Sequence, residues 1–186
     1  MQENYQGIYG YPLGAADLVV VERDSKELNA EPRAFAPGLH WPPNTHKIIL
    51  FYPESMTPVC ETELAELVYW QQHFATLGFM VYAACTDAPE TIAEWFNSEE
   101  KLLNATYPIL SSRMLPEKLQ LTLQNGRAKR ATVFLTAAGE VVKQEHFFRV
   151  GRSLVELHRM AYGYVNNELN ANTWVEPKIK RGCDAK

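Results

Sequence analysis

The residues of this chain able to do chemistry centre on Cys60. It ends the stretch Phe51-Tyr52-Pro53-Glu54-Ser55-Met56-Thr57-Pro58-Val59-Cys60, in which an apolar run stops, a proline-bounded loop follows and a helical pattern begins. A thiol in the first turn of a helix faces backbone N–H groups that lack intrahelical partners, and it faces the positive end of the helix dipole. Both favour thiolate over thiol, and a thiolate is a nucleophile. Position alone leaves a second reading open, in which Cys60 is a small apolar residue packing the first helical turn. Thr57 is likewise either a helix cap or a hydroxyl offered to a substrate. Arg130, close to Arg127 and Lys129, is either a charge directed at a site or one of several solvated cations.

The three cysteines, at 60, 85 and 183, form no Cys-x-x-Cys pair and have no His-x-x-x-His companion, which argues against a dithiol of thioredoxin type and against a zinc site. The histidines at 40, 46, 73, 146 and 158 show no ligand spacing. No metal and no organic cofactor is expected. Cys85 closes an apolar run and reads as a buried core thiol.

The elements that must position Cys60 follow from periodicity. Ile48 to Tyr52 is a continuous apolar run closed by Pro53, as in a parallel strand buried on both faces. Leu67, Trp70, Phe74 and Leu77 recur at helical spacing up to Gly78, predicting a helix from about Cys60 to Leu77. Phe79 to Cys85 is the next strand, and Asp87-Ala88-Pro89-Glu90 is a capping-box-like start for a helix through Trp95 and Phe96. Tyr107 to Leu110 reads as a short strand and Leu115 to Leu123 as a short helix. Ala131 to Thr136 and Val141 to Phe148 form a hairpin around Ala137-Ala138-Gly139. Ser153 and Glu156 make a capping box for a last helix in which Leu157, Ala161, Tyr164 and Val165 share a face. This order predicts an α/β chain with a thioredoxin-like fold, a mixed central sheet, helices on both faces and a C-terminal tail. Residues 1–46 read as a loop-rich segment with one short strand, Leu18 to Val21; residues 47–165 read as the core and 166–186 as the tail.

Composition narrows the classes. The chain has 186 residues, enough for one domain, and 46% hydrophobic with 22% charged residues is close to globular averages. The net charge is -4 and the basic residues are scattered apart from Lys178 to Arg181, which argues against a nucleic-acid partner. No apolar run is long enough to cross a bilayer and the first residues lack a secretory pattern, so no membrane partner is expected and the location is expected to be cytoplasmic.

Pro53-x-x-x-Thr57-x-x-Cys60 resembles the active-site motif of the peroxiredoxins, and its surroundings resemble their alkyl hydroperoxide reductase C branch. Four further regions agree in order: Thr86-Asp87 with Trp95; Tyr107-Pro108-Ile109-Leu110-Ser111; Arg130-Ala131-Thr132-Val133-Phe134; and Val150-Gly151-Arg152-Ser153. The resemblance spans about Lys47 to Trp174. It implies a thiol-dependent peroxidase, an oxidoreductase that reduces hydrogen peroxide and organic hydroperoxides through a sulfenic acid on Cys60. Thr57 then aligns the peroxide, Arg130 stabilises negative charge on sulfur and oxygens, Pro53 shields the sulfur from water, and Glu63 orients an arginine. Arg152 is equally explicable as a surface charge at the last helix.

The chain departs from the pattern where Glu61 replaces a proline, where Met56 and Pro58 replace aromatic residues, and where Ser112-Arg113 replaces Asp-Pro. The position of the usual resolving cysteine, four residues before Trp174, is Asn170. Cys183 is a possible resolving thiol, acting on Cys60 of a partner subunit; otherwise an external thiol or disulfide reductant protein regenerates the enzyme. The resemblance also implies a homodimer or a ring of dimers. The alternative is a non-catalytic redox sensor or holdase on the same scaffold.

Overall fold

The computed structural model describes residues 17–24, 29–147 and 150–166. Its plan is set by strand β3, His46–Phe51. Along β3, Ile48 and Leu50 point into one core and Ile49 and Phe51 into another, and all four are fully buried. A strand with both faces apolar must be covered on both sides, and the rest of the chain supplies the covers.

Beside β3 lie β4, Phe79–Cys85, and β6, Ala131–Leu135. The first pairs with β3 in parallel and the second antiparallel, with Phe51 opposite Ala131. Strand β5, Ile109–Ser111, is parallel to β4, and β7, Val141–His146, closes the hairpin onto β6. Two N-terminal strands, β1 (Val19–Arg23) and β2 (Ala30–Ala34), complete a mixed seven-stranded sheet of order β2-β1-β5-β4-β3-β6-β7. The sequence reading of residues 1–46 contains only one of these. β2 reads Ala-Glu-Pro-Arg-Ala, exposed over four of its five residues. It has no apolar alternation to betray it, and its proline is tolerated because β2 is an edge.

One face of the sheet carries α2 (Pro58–Thr76), α3 (Pro89–Ser98) and α5 (Leu154–Asn166). The other carries the short α1 (Pro37–His40) with Trp41, and α4 (Met114–Lys118) with Leu119 and Leu121. Helix α2 starts two residues earlier than its apolar period indicates, because Pro58 occupies N1, where its missing N–H costs nothing. The helix stops before Gly78, whose φ of 79° is the left-handed conformation a helix terminus favours.

Three local expectations are corrected. Helix α3 has Ala88 at its N-cap without a side-chain cap, and the Asp87 carboxylate instead accepts a hydrogen bond from Ser55 N at 2.6 Å. Helix α4 ends at Lys118 rather than at the expected Leu123, since Gln120 adopts φ 58° and turns the chain. In α5, Leu157 and Ala161 are buried while Tyr164 and Val165 are 41% and 45% exposed. They lie past the point where the sheet can cover them, and Tyr164 packs edge-on against His46 at the sheet end. Ser153 does cap α5, its Oγ accepting from Glu156 N at 3.3 Å.

Candidate active site

Parallel strands β3, β4 and β5 end on one side of the molecule, and antiparallel β6 begins there. The register that sets Phe51 against Ala131 therefore brings the loop after β3 next to Arg130. Thr57 is the N-cap of α2 and Cys60 its third helical residue, among the N–H groups without intrahelical partners. Cys60 is fully buried.

The loop from Tyr52 to Thr57 is held at every turn. Met56 takes φ 58°, a conformation a side-chain-bearing residue adopts only when its surroundings enforce it. Ser55 N is tied to Asp87, Thr57 Oγ1 donates to Glu54 O at 3.0 Å, and Arg127 donates two bonds of 2.5 Å to the Glu54 carboxylate. The Thr57 hydroxyl does not cap α2. Its proton is used on Glu54 O, so its oxygen lone pairs remain available to accept a hydrogen bond from a bound molecule.

Arg130 joins the site from the start of β6. Its Nη2 donates to Cys60 Sγ at 3.4 Å and its Nη1 pairs with the Glu63 carboxylate. Glu63, one turn after Cys60 on α2, is 4% exposed. Its other oxygen accepts from Arg152 N at 2.7 Å and Arg152 Nε at 3.1 Å. Arg152, read from sequence as equally a surface charge, is corrected: its side chain is 1% exposed. Its guanidinium also donates to Ala131 O at 3.3 Å and to Phe51 O, so it joins β3, β6 and α2 beneath the site. Burial works against the charge on Arg152 and Glu63 works for it. Two guanidinium cations share one carboxylate, which leaves one positive charge facing the sulfur to balance a thiolate.

Pro53 lines a cleft of about 610 Å³ together with Val59, Leu123, Lys129, Arg130 and neighbouring residues. Sequence reasoning named Pro53, Thr57, Cys60, Glu63 and Arg130; in the structure Arg130 bonds both Cys60 and Glu63, Pro53 shares the cleft with Arg130, and Thr57 stands at the N-cap of α2 three residues before Cys60. It missed the part played by Asp87 and underrated Arg152. For Asp87 the signal was present, since a carboxylate directly after a strand end faces the same sheet edge as Cys60. Cys183, with Asn170 and Trp174, lies outside the described residues. Cys85 is buried at 1% exposure and burial pushes its thiol up to about 12, consistent with a core thiol. Among the described residues no cluster of His, Cys, Asp and Glu has the makings of a metal site, and no helix is long and apolar enough to cross a membrane.

A buried thiol at the N-terminus of a helix, bonded by an arginine from the adjoining strand of a mixed sheet, defines a thiol site on a thioredoxin-like scaffold. Residues 44–144 match the AhpC/TSA family, and the chain belongs to that family of peroxiredoxins. It is 31% identical over 101 residues to alkyl hydroperoxide reductase C of Ferdinandcohnia aciditolerans, covering 53% of this chain and 60% of that one. It is 33% identical over 63 residues to the Escherichia coli protein of the same name, covering 34% of each. The match thus spans about a third to three fifths of the length of these relatives. The fold is similar to that of Mycobacterium tuberculosis AhpC, with a TM-score of 0.75 at 21% identity over 88% of this chain and 97% of that one.

Proposed function

We propose that the protein is a thiol-dependent peroxidase with Cys60 as its nucleophile. The observation that carries this reading is the Arg130 guanidinium 3.4 Å from a sulfur in the first turn of α2. The Cys60 thiolate attacks the terminal oxygen of a hydroperoxide. An S–O bond forms as the O–O bond breaks, the sulfur is oxidised by two electrons to a sulfenic acid, and the departing oxygen takes up a proton to leave as water or an alcohol. Negative charge spreads over sulfur and both oxygens during this displacement. Arg130 stabilises that charge, Thr57 Oγ1 accepts the hydroperoxide proton bond that aligns it, and Pro53 keeps water off the sulfur. Glu63 and Arg152 are positioning residues that hold Arg130.

Regeneration follows when a thiol attacks the sulfenic sulfur, releasing water, and a second thiol reduces the resulting disulfide. Cys183 of a partner subunit or an external thiol protein serves here. A homodimer fits this scheme: β7 is the outer strand of the sheet and offers an edge for a second copy. A cytoplasmic location agrees with a site that works as a reduced thiol.

The test is stopped-flow oxidation of the reduced protein by hydrogen peroxide for wild type, Cys60→Ser and Cys183→Ser, followed by non-reducing gels. Fast oxidation lost only in Cys60→Ser supports the peroxidase, and a covalent dimer absent in Cys183→Ser assigns the resolving thiol. A wild type no faster than a free thiol refutes the peroxidase and leaves a sensor or holdase.

A further inference from the structure

The cleft lined by Pro53, Val59 and Arg130, the last of which bonds Cys60 Sγ, is far larger than hydrogen peroxide needs. It encloses about 610 Å³, whereas a molecule of two oxygens takes on the order of 60 Å³, twice the share of a water. The volume is that of a site for a drug-sized organic molecule. Much of its wall is apolar, from Pro53, Val59, Leu123, Phe147 and Val150. Val59, Leu123 and Val150 are 47%, 40% and 59% exposed. Exposed apolar side chains are ordinary when scattered, but three around one cleft that also holds Arg130, the partner of Cys60, form a groove for a hydrocarbon.

The charges in the cleft have one sign. Its other lining residues include Lys129, Arg130 and His146, and among the described residues no carboxylate lines it. Nearby acids are engaged elsewhere: Glu63 by Arg130 and Arg152, Glu54 by Arg127, and Glu145 by Lys143 at 2.9 Å. Arg130 belongs to the sulfur. Lys129 is different, since its Nζ donates to the neutral Gln120 O at 3.0 Å and forms no ion pair among the described residues. An ammonium has three protons, so two remain for an anion.

We infer that this cleft binds amphipathic anionic hydroperoxides, meaning alkyl hydroperoxides that carry a carboxylate, with Lys129 holding the carboxylate and the apolar wall holding the chain. The inference rests on the peroxidase reading and adds a substrate class and a specificity residue to it. The hydroperoxide group meets Cys60 and Arg130 while the carboxylate sits at the rim, where a half-exposed ammonium needs little desolvation to receive it.

The experiment compares oxidation rates of the reduced protein by linoleic acid hydroperoxide and by its methyl ester, below their aggregation concentrations, with hydrogen peroxide in parallel. Wild type is expected to prefer the acid over the ester by about fivefold, the factor of one exposed ion pair. Lys129→Gln brings the ratio to about one and Lys129→Arg retains it, because charge rather than shape sets the preference. Equal rates for acid and ester in wild type, or a preference that survives Lys129→Gln, overturns the inference; the cleft is then the seat of another protein segment. Failure of wild type to react with hydrogen peroxide as well removes the peroxidase reading and this inference together, whereas fast hydrogen peroxide with equal acid and ester rates removes only the latter.

Discussion

Replacing Glu63 by Gln separates charge from shape at the centre of the site. The glutamine keeps a carbonyl oxygen for Arg152 N and Nε, now 2.7 and 3.1 Å from Glu63 Oε1. It replaces the oxygen that Arg130 Nη1 uses with an amide that donates and repels. Arg130 and Arg152 are 12% and 1% exposed, so neither cation recovers its solvation from water. Breaking a buried pair in this way costs about 3 kcal/mol, and for a chain of this size that lowers the melting temperature by about 6–12 °C. Stability alone does not test a positioning role, so the decisive quantity is the rate of Cys60 oxidation at a temperature where every variant is folded. An Arg130 no longer held from behind loses its aim at the sulfur, and misplacement on this scale lowers the rate about 10- to 100-fold. Arg130→Met alone is expected to cost about 100- to 1000-fold, as for loss of a group that stabilises developing charge. If Glu63 acts through Arg130, adding Glu63→Gln to Arg130→Met costs little further rate. An unchanged rate in Glu63→Gln, or penalties that multiply in the double variant, refutes the reasoning and makes Glu63 a purely structural residue.

Thr57→Val removes the hydroxyl assigned to accept the hydroperoxide proton bond and is expected to slow oxidation by about 100-fold, with Thr57→Ser retaining most of the rate; equal rates in Thr57→Val and wild type would remove Thr57 from the mechanism. Cys85, buried with its thiol pushed up to about 12, is expected to resist iodoacetamide at pH 8 in a Cys60→Ser, Cys183→Ser background and to react once urea unfolds the chain; mass spectrometry reads either result. Lys47 is fully buried, and burial pulls its ammonium from 10.5 down to about 8. Between those values the unfolded chain holds a proton that the folded chain has released, so stability rises with pH across that window and is at its lowered value below it. Urea titrations from pH 8 to 10 are expected to show a gain on the order of 1–2 kcal/mol, lost in Lys47→Met.

The local features of the site were legible because short-range physics dictates them. A two-faced apolar run ended by Pro53 is a buried strand wherever it occurs, and the spacing of Leu67, Trp70 and Phe74 fixes both a helix and its buried side. Cys60 falls at the junction of the two, so its place in the first helical turn needed no partner to specify it. The Pro53, Thr57 and Cys60 spacing lies within one continuous loop and helix start, and the chain itself carries it into the site.

Contacts between distant parts of the chain were decided by the tertiary structure. β2 has no apolar pattern, and only pairing with β1 makes it a strand. Asp87 looks like a helix cap until the ends of β3 and β4 come together and Ser55 N takes its carboxylate. Arg152 looks like a solvated cation until α5 docks on α2 and buries it against Glu63, 89 residues away in sequence. Arg130 reaches Cys60 only because β6 runs antiparallel to β3 with Ala131 opposite Phe51. Sequence determines which groups can react and where a helix or strand must begin; which charge neutralises which is a property of packing, since a guanidinium fits many local settings and burial here leaves Arg130 and Arg152 one carboxylate, Glu63.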